Sequence, residues 1–369
     1  MVRGHLHGIA RYALELARRI PALEPGWHFV GLTAPQGVPD DLGELTPRIP
    51  LVKATADFLS IFEQPTLLAD LLRQRPSLFH ATSFSVPALW PGKLVATLHD
   101  ANHLALSESA SVSRTAYYRT VVGPRASRAQ ALITVSEFSR RELSAHLSFP
   151  PERFQVIGNG VDPSFRAPVA QDLEDFRARR GLPPKYFAVV GNIKPFKNLS
   201  VLLPIADGLP APLVLLAGRG ARRAIGFSDK VIELSPLPDE ELVRFYAGAC
   251  AVLVPSRYEG FGLPALEAMA CGAPVIVSSA GSHPEVVGGA GILVSPDNPL
   301  AWREACLRVF RDEALRRELS VAGSERAARA SWDDCARQTL QVGTDETEGF
   351  HHDDSTGHRE VADPRCTAG

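Results

Sequence analysis

The sequence predicts an α/β protein of two domains built on parallel sheets, and three observations carry that expectation. Its 369 residues exceed what one hydrophobic core usually organises. Short apolar runs alternate along the chain with amphipathic helical stretches. Residues 250–277 read as buried strand, glycine-rich loop, short helix and second strand, a unit from which doubly wound domains are made.

Composition narrows the class. With 45% apolar and 22% charged residues the chain reads as an ordinary soluble globular protein, and a net charge of −2 argues against a nucleic-acid partner. The five cysteines, at 250, 271, 306, 335 and 366, form no Cys-x-x-Cys pair, and the first three lie in apolar stretches. This fits a reducing, cytoplasmic setting without a metal site. No apolar run reaches the roughly 18 residues needed to span a bilayer, and the first residues lack a signal-peptide core.

In the central stretch, Cys250 to Val254 is continuously apolar, as a strand covered on both faces requires. Gly260 and Gly262 permit a tight turn and close approach to a ligand, and Pro264 suits the first turn of a helix running from about Leu263 to Gly272. Unpaired N–H groups and the macrodipole make such a start a phosphate site. Glu259 and Glu267 flank it, and carboxylates accept hydrogen bonds from vicinal diols. A phosphate cradle between two diol readers is what a nucleotide-sugar needs.

The run Glu259-Gly-Phe-Gly-Leu-Pro-Ala-Leu-Glu267 resembles the signature of the family-4 retaining glycosyltransferases of GT-B fold. The resemblance extends over about Gly8 to Val342. It implies two Rossmann-like domains facing a cleft, with donor on the C-terminal domain and acceptor on the N-terminal one. It further implies that Glu259 touches the donor sugar, that the backbone of Phe261, Gly262 and Leu263 meets the diphosphate, and that Glu267 holds the ribose.

Taken in order, residues 9–20 form an amphipathic helix and residues 27–33 a strand. A doubly wound domain normally begins with a strand, yet the residues before Gly8 hold no strand-like run, so the N-terminal domain is expected to lack its first strand. In the resembling family a Gly-Gly or His-Gly loop at this place borders acceptor and donor phosphates, which implies an acceptor-side role for Gly8. A helix near 64–75 and a strand at 78–81 follow, then a strand at 93–98 entering His99-Asp100. Thr97-Leu98-His99-Asp100 resembles the family segment whose His faces the donor sugar, so His99 joins Glu259 as a catalytic candidate; a loop cap is its alternative, and Asp100 suits capping as well as catalysis. Residues 114–129 hold four arginines and no acid, a stretch that would guide an anionic acceptor, lie on anionic lipid, or form a solvated helix face. A strand at 131–135 feeds a helix with Ser136 or Ser139 as cap, and Asn159-Gly-Val-Asp162 turns out of the domain, Asp162 being structural first.

The second half opens with a strand at 186–191 and the loop Asn192-Ile-Lys-Pro-Phe-Lys197. Lys197 is expected at a helix start, where it would neutralise a diphosphate. In the family this loop carries two basic residues; Asn192 and Phe196 stand where Arg is frequent, leaving Lys194 as the second cation. Strands at 213–218 and 231–234, a helix from Asp239 with acids in its first turn, and a strand at 291–294 complete the sheet. By resemblance residues 235–237 lie beside the nucleotide base. Helices at 300–310 and 313–329 precede a last helix from Ser331 to Val342 that crosses back onto the first domain. From Thr344 the chain is polar and nonperiodic and reads as disordered; His351, His352, Asp353 and Asp354 in it would suit a metal only by local clustering.

The domains are thus expected at 1–165 and 185–330, with a linker at 166–184, the crossing helix at 331–342 and a tail at 343–369. The reaction implied is retaining, metal-independent and cofactor-free hexosyl transfer from a nucleoside-diphosphate sugar. It would proceed by a front-face path to a glycan or lipid-linked acceptor in cell-surface polysaccharide synthesis. The protein would be cytoplasmic, with peripheral contact at the inner membrane surface. Gly-Asn-Ile-Lys-Pro and His-Asp are similar to mannosyl-type members that use GDP-mannose, against UDP- or dTDP-sugars. A non-catalytic nucleotide-sugar-binding or scaffolding protein is the rival; a dehydrogenase lacks its Gly-x-Gly-x-x-Gly.

Overall fold

A computed structural model describes residues 8–35, 49–56, 62–106 and 112–348. Expectations for Met1–His7 and for the tail beyond 348, its histidines and Cys366 included, lie outside the described residues.

The chain begins with α1 (Gly8–Leu23), β1 (Gly31–Thr33), β2 (Leu51–Lys53), α2 (Glu63–Gln74), β3 (Leu78–Ala81) and β4 (Lys93–Thr97). The short helices α3 (Asn102–Ala105), α4 (Val112–Tyr117) and α5 (Gly123–Ala126) follow, α4 and α5 joined by a π-turn, then β5 (Ala131–Thr134), α6 (Glu137–Leu147) and β6 (Phe154–Val156). All strands pair in parallel: β3-β4-β5-β6 form one sheet and β1-β2 a separate pair. Among the described residues α1 is the first element and no ladder joins β1 to β3, although Leu32 of β1 and Phe79 of β3 pack on the same face of α2 at Leu67 and Leu71. β1 is shorter than its apolar run because its ladder starts only where Gly31 meets Leu51; Trp27 and Val30 before it are exposed.

After α7 (Ala170–Arg180), the second sheet is built from β7 (Phe187–Val190), β8 (Leu213–Leu216), β9 (Ile232–Glu233), β10 (Ala251–Val254), β11 (Val275–Ser278) and β12 (Ile292–Val294). They are interleaved with α8 (Leu203–Ala206), α9 (Ala221–Ile225), α10 (Asp239–Ala247), α11 (Leu263–Ala270) and α12 (His283–Val287). The order β9-β8-β7-β10-β11-β12 is that of a doubly wound sheet. Alternation divides its strands between two cores: Val252 and Val254 of β10 face one, Ala251 and Leu253 the other. Covering both faces is what the uninterrupted apolar runs required.

Helices α13 (Pro299–Arg311) and α14 (Glu313–Ala327) close the domain. Then α15 (Trp332–Glu348) returns to the first sheet, where Trp332, Cys335 and Ala336 share a core with Tyr12, Leu16, Val95 and Ile133. An isolated parallel bridge, Val161 to Ser331, marks where the two chain passages meet. The helix runs to Glu348, past the end expected near Val342, so residues 343–348 of the expected tail are helical.

Candidate active site

In a doubly wound sheet the ligand crevice opens where strand order reverses, between two neighbouring strands whose connections leave in opposite directions. Here those strands are β7 and β10. The loop after β7 carries Lys194 and Lys197; the loop after β10 carries Glu259 and Gly262. The Asn198 amide staples them, its Nδ2 donating to the carbonyls of Pro255 (3.1 Å) and Pro296 (2.8 Å), and Arg257 N–H donates to Phe196 O (2.8 Å).

Lys197 is not at the start of an α-helix, as its sequence context suggests. Pro195–Lys197 is one 3-10 turn, which Asn198 ends in the left-handed conformation (φ 55°), and regular α-helix begins only at Leu203. The helical run behind it, 3-10 from Leu199 to Leu202 and α from Leu203 to Ala206, begins two residues later than the sequence suggests, with Asn198 as its N-cap. A carboxylate meets the lysine: Lys197 Nζ donates to Glu259 Oε1 at 2.5 Å, and Ser256 Oγ donates to the same oxygen at 2.8 Å. Both side chains are nearly covered, 15% and 13% exposed. Burial by itself would raise the Glu259 pKa, but Lys197, His283 and the two hydrogen bonds hold it below the usual carboxylate value. Lys194 is exposed, its ammonium 5.7 Å from the centre of the Phe196 ring.

Beneath this loop lies the turn before α12. Gly262 (φ 95°) holds a backbone conformation that strains any side chain, and a Cβ there would also press on the buried turn, 3.2 Å from His283 Cδ2. Ser282 and His283 are fully buried, and the Ser282 hydroxyl has no hydrogen-bond partner among the described residues. Burial lowers the His283 pKa against the opposing pull of Glu259, so its ring is neutral near pH 7.

Helix α11 starts at Leu263, as expected, with Gly262 as its N-cap, Pro264 in its first turn and no side chain capping it. Pro264 has no N–H and those of Ala265 and Leu266 bond to Gly262 O (3.1 and 3.4 Å), so the Leu263 N–H and the positive end of the dipole are what this start offers an anion. One turn on, Glu267 is 8% exposed: Tyr246 OH donates to its Oε2 (3.3 Å), and the Arg11 guanidinium lies beside it. Desolvation outweighs Arg11, and the Glu267 pKa is pushed up to about 7. Phe261 directs its ring to the first domain, 3.4 Å from where a Cβ of Gly158 would be, which leaves its backbone to the loop.

The first domain supplies the opposite wall. Gly8 at the start of α1 lies against the Leu263 side chain, and Arg11 pairs with Asp239 of α10 at 2.7 Å. A Cβ on Gly260 would come within 2.9 Å of both His99 O and Asp100 Cβ, so the donor-side loop rests on the end of β4. The His99 ring is held within its own domain: its Nε2–H donates to Thr82 O (3.0 Å) and Tyr12 packs edge-on at 4.7 Å. Burial lowers its pKa to about 4. A neutral ring whose Nε2 proton is engaged keeps Nδ1 as an acceptor, which is a narrower role than proton donor. Asp100, not His99, shares the field of Glu259, Lys197 and Lys194; burial first, then Glu259, raises its pKa.

Local sequence therefore located Glu259, Gly262, Leu263 and Lys197 together, but not Arg11, Ser256, Ser282 or His283. Arg11 sits on the polar side of an amphipathic pattern and the others in turns, so their part in the site comes from contacts that no period records. Among the described residues no three His, Cys, Asp or Glu side chains cluster as a metal ion would need, and no helix is long and apolar enough to cross a membrane.

Comparison with known proteins agrees with this architecture. Residues 6–165 match the family model described as Glycosyltransferase Family 4, and residues 171–326 that of Glycosyl transferases group 1. An O-antigen chain mannosyltransferase B of Escherichia coli is 29% identical, the match covering 91% of this chain and 96% of the relative. A D-inositol 3-phosphate glycosyltransferase of a Nocardioides species is 33% identical over 58% of this chain; the match spans about half of that relative, 53%. In fold, the chain is similar to sucrose-phosphate synthase of Thermosynechococcus elongatus (TM-score 0.75, 22% identity, 93% of this chain and 94% of the other). It is similar also to an Anabaena protein solved with UDP and glucose (TM-score 0.75, 18% identity, 93% and 98%).

Proposed function

The chain belongs to the family 4, group 1 glycosyltransferases, and from that premise we propose that it moves a sugar from a nucleoside-diphosphate sugar to a glycan or lipid-linked acceptor with retention at the anomeric carbon. The observation that carries the proposal is the Lys197–Glu259 pair across the switch point, Glu259 lying in the loop that leads into the uncapped start of α11. A lysine and a helix start address a diphosphate, and a carboxylate addresses sugar hydroxyls. On donor entry the phosphate replaces Glu259 as partner of Lys197, and the released Glu259 accepts hydrogen bonds from the sugar.

No covalent nucleophile is assigned; the leaving diphosphate takes the acceptor proton on the front face, and Lys197 with the Leu263 N–H at the start of α11 stabilises its charge. Neither metal nor cofactor enters this scheme. The relative named as an O-antigen chain mannosyltransferase supports a mannosyl donor and a cell-surface polysaccharide as product, with GDP as the nucleotide on the likeness of Gly-Asn-Ile-Lys-Pro and His-Asp to mannosyl-type members. A lipid-linked acceptor would bring the protein to the inner membrane surface from the cytoplasm.

A thermal-shift panel with GDP, UDP and dTDP tests the base, followed by transfer from the matching sugar nucleotides in EDTA and the anomeric configuration of the product by NMR. Stabilisation by GDP and a retained configuration are expected; an inverted product or a requirement for added metal would contradict the scheme. A non-catalytic nucleotide-sugar binder is the second reading, favoured by the occupied state of both glutamates, Glu259 on Lys197 and Glu267 under Arg11 and Tyr246. Nucleotide binding without transfer or hydrolysis on any donor would select it.

A further inference from the structure

We propose that Glu285 is a positioning residue: its carboxylate caps helix α6 of the opposite domain, and the latch so formed sets the donor loop that carries Glu259. Glu285 Oε2 accepts from Glu137 N–H and Oε1 from Phe138 N–H, both at 2.9 Å. These are the first two N–H groups of an eleven-residue helix, where an anion gains both hydrogen bonds and the favourable end of the dipole. The ordinary N-cap is also in place, Ser136 Oγ accepting from Ser139 N–H at 3.0 Å. Glu285 thus adds to a helix start that local sequence had already capped, and it does so from 148 residues away.

The same turn of α6 also grips the donor loop. Ser136 Oγ donates to Gly260 O at 2.5 Å, and Ser139 Oγ donates to that carbonyl at 3.1 Å. On the donor side the two gripped segments are one body. Ser282 N–H donates to Glu259 O (3.2 Å), and a Cβ on Gly281 would stand 2.9 Å from Glu259 N. Arg326 of α14 holds the other end of α12, donating to the carbonyls of Glu285 (2.6 Å) and Val286 (3.0 Å). One helix terminus therefore bonds simultaneously to the turn behind Glu259 and to the residue beside it. While these contacts hold, Gly260 rests against His99 and Asp100. Within the proposed transfer reaction, Glu285 acts through the position of Glu259 and touches no substrate.

The test compares the parent with Glu285→Ala and the near-isosteric Glu285→Gln. Small-angle scattering reports the radius of gyration with and without saturating GDP, UDP or dTDP; nucleotide affinity, melting temperature, kcat and KM are read on the same samples. Glu285→Ala is expected to enlarge the radius of gyration and lower kcat about tenfold or more, with nucleotide affinity within about threefold of the parent. Glu285→Gln, whose amide oxygen keeps one acceptor, should fall between. Unchanged scattering and kcat in Glu285→Ala overturn the proposal. So does a kcat loss that tracks the melting temperature in both variants without any expansion, since that is a structural defect alone. If the parent transfers no sugar from any donor, the functional reading fails, while the scattering comparison still decides the latch.

Discussion

The loop at Glu259 and the helix turn at Glu267 belong to one nine-residue motif, yet the fold puts their carboxylates into opposite electrostatic states. Glu259 has a lysine and a serine on one oxygen and is held ionised below its usual range. Glu267 is more deeply covered, has a phenol as donor and an arginine already paired with Asp239, and stays protonated up to about pH 7. Identical side chains in one signature are therefore not equivalent groups. One is charged and poised beside a cation; the other is a near-neutral acid whose ionisation is coupled to whatever arrives next to it.

The sharpest way to break that contrast is to remove the cation. Lys197→Ala leaves Glu259 nearly buried without its counter-ion and removes charge from the diphosphate site, so turnover should fall about 10²–10³-fold and the melting temperature should drop. Lys197→Arg should recover part of both, as initial rates and differential scanning fluorimetry would show. An unchanged rate in Lys197→Ala would remove the lysine from the proposed chemistry.

Next in size is the division between the two acids. Glu259→Gln should lower turnover about 100-fold with little change in nucleotide affinity, whereas Glu267→Ala should weaken nucleotide binding about tenfold. Calorimetric titration of both variants decides it, because equal affinity losses would merge the two roles.

A smaller effect concerns stability against pH. The folded Glu267 pKa, about 7, lies above the usual 4.5, so the folded protein binds this proton more tightly than the unfolded chain. Its contribution is fully present below pH 4.5 and is lost as pH rises through about 7, at a slope of roughly 1.4 kcal/mol per pH unit within that window. Urea unfolding of the parent and of Glu267→Gln at pH 5 and pH 8 should show the variant to be less pH-dependent by that amount; parallel curves would remove the perturbed acid. Smallest of all, Tyr246→Phe removes the donor to Glu267 Oε2, and should cost about 1 kcal/mol while raising the Glu267 pKa further, measurable as a shift of the same stability window.

Much of this arrangement was legible along the chain. The strands at β7, β8, β10 and β11 announced themselves as apolar runs because they are covered on both faces. The start of α11 was readable because Gly262 and Pro264 act on their own backbone. The Lys197 environment was not, since a lysine followed by an apolar stretch looks like a helix start, whereas Asn198 takes a left-handed conformation that separates the Lys197 turn from the helical run beginning at Leu199. The orientation of His99 was hidden for a similar reason. Its strand-end position follows from the pattern of β4, but the direction of its ring is set by Thr82 O and by Tyr12 from α1.

What the sequence by itself determined is the set of elements and the chemistry at their ends, since hydrophobic period, glycine and proline act within a few residues. Only the tertiary structure decided which ends meet. Strand order brings Lys197 to Glu259 across 62 residues and α6 to Glu285 across 148, and the first of these encounters holds Glu259 ionised. Desolvation and charge pairing depend on distance in space, which local periodicity does not encode.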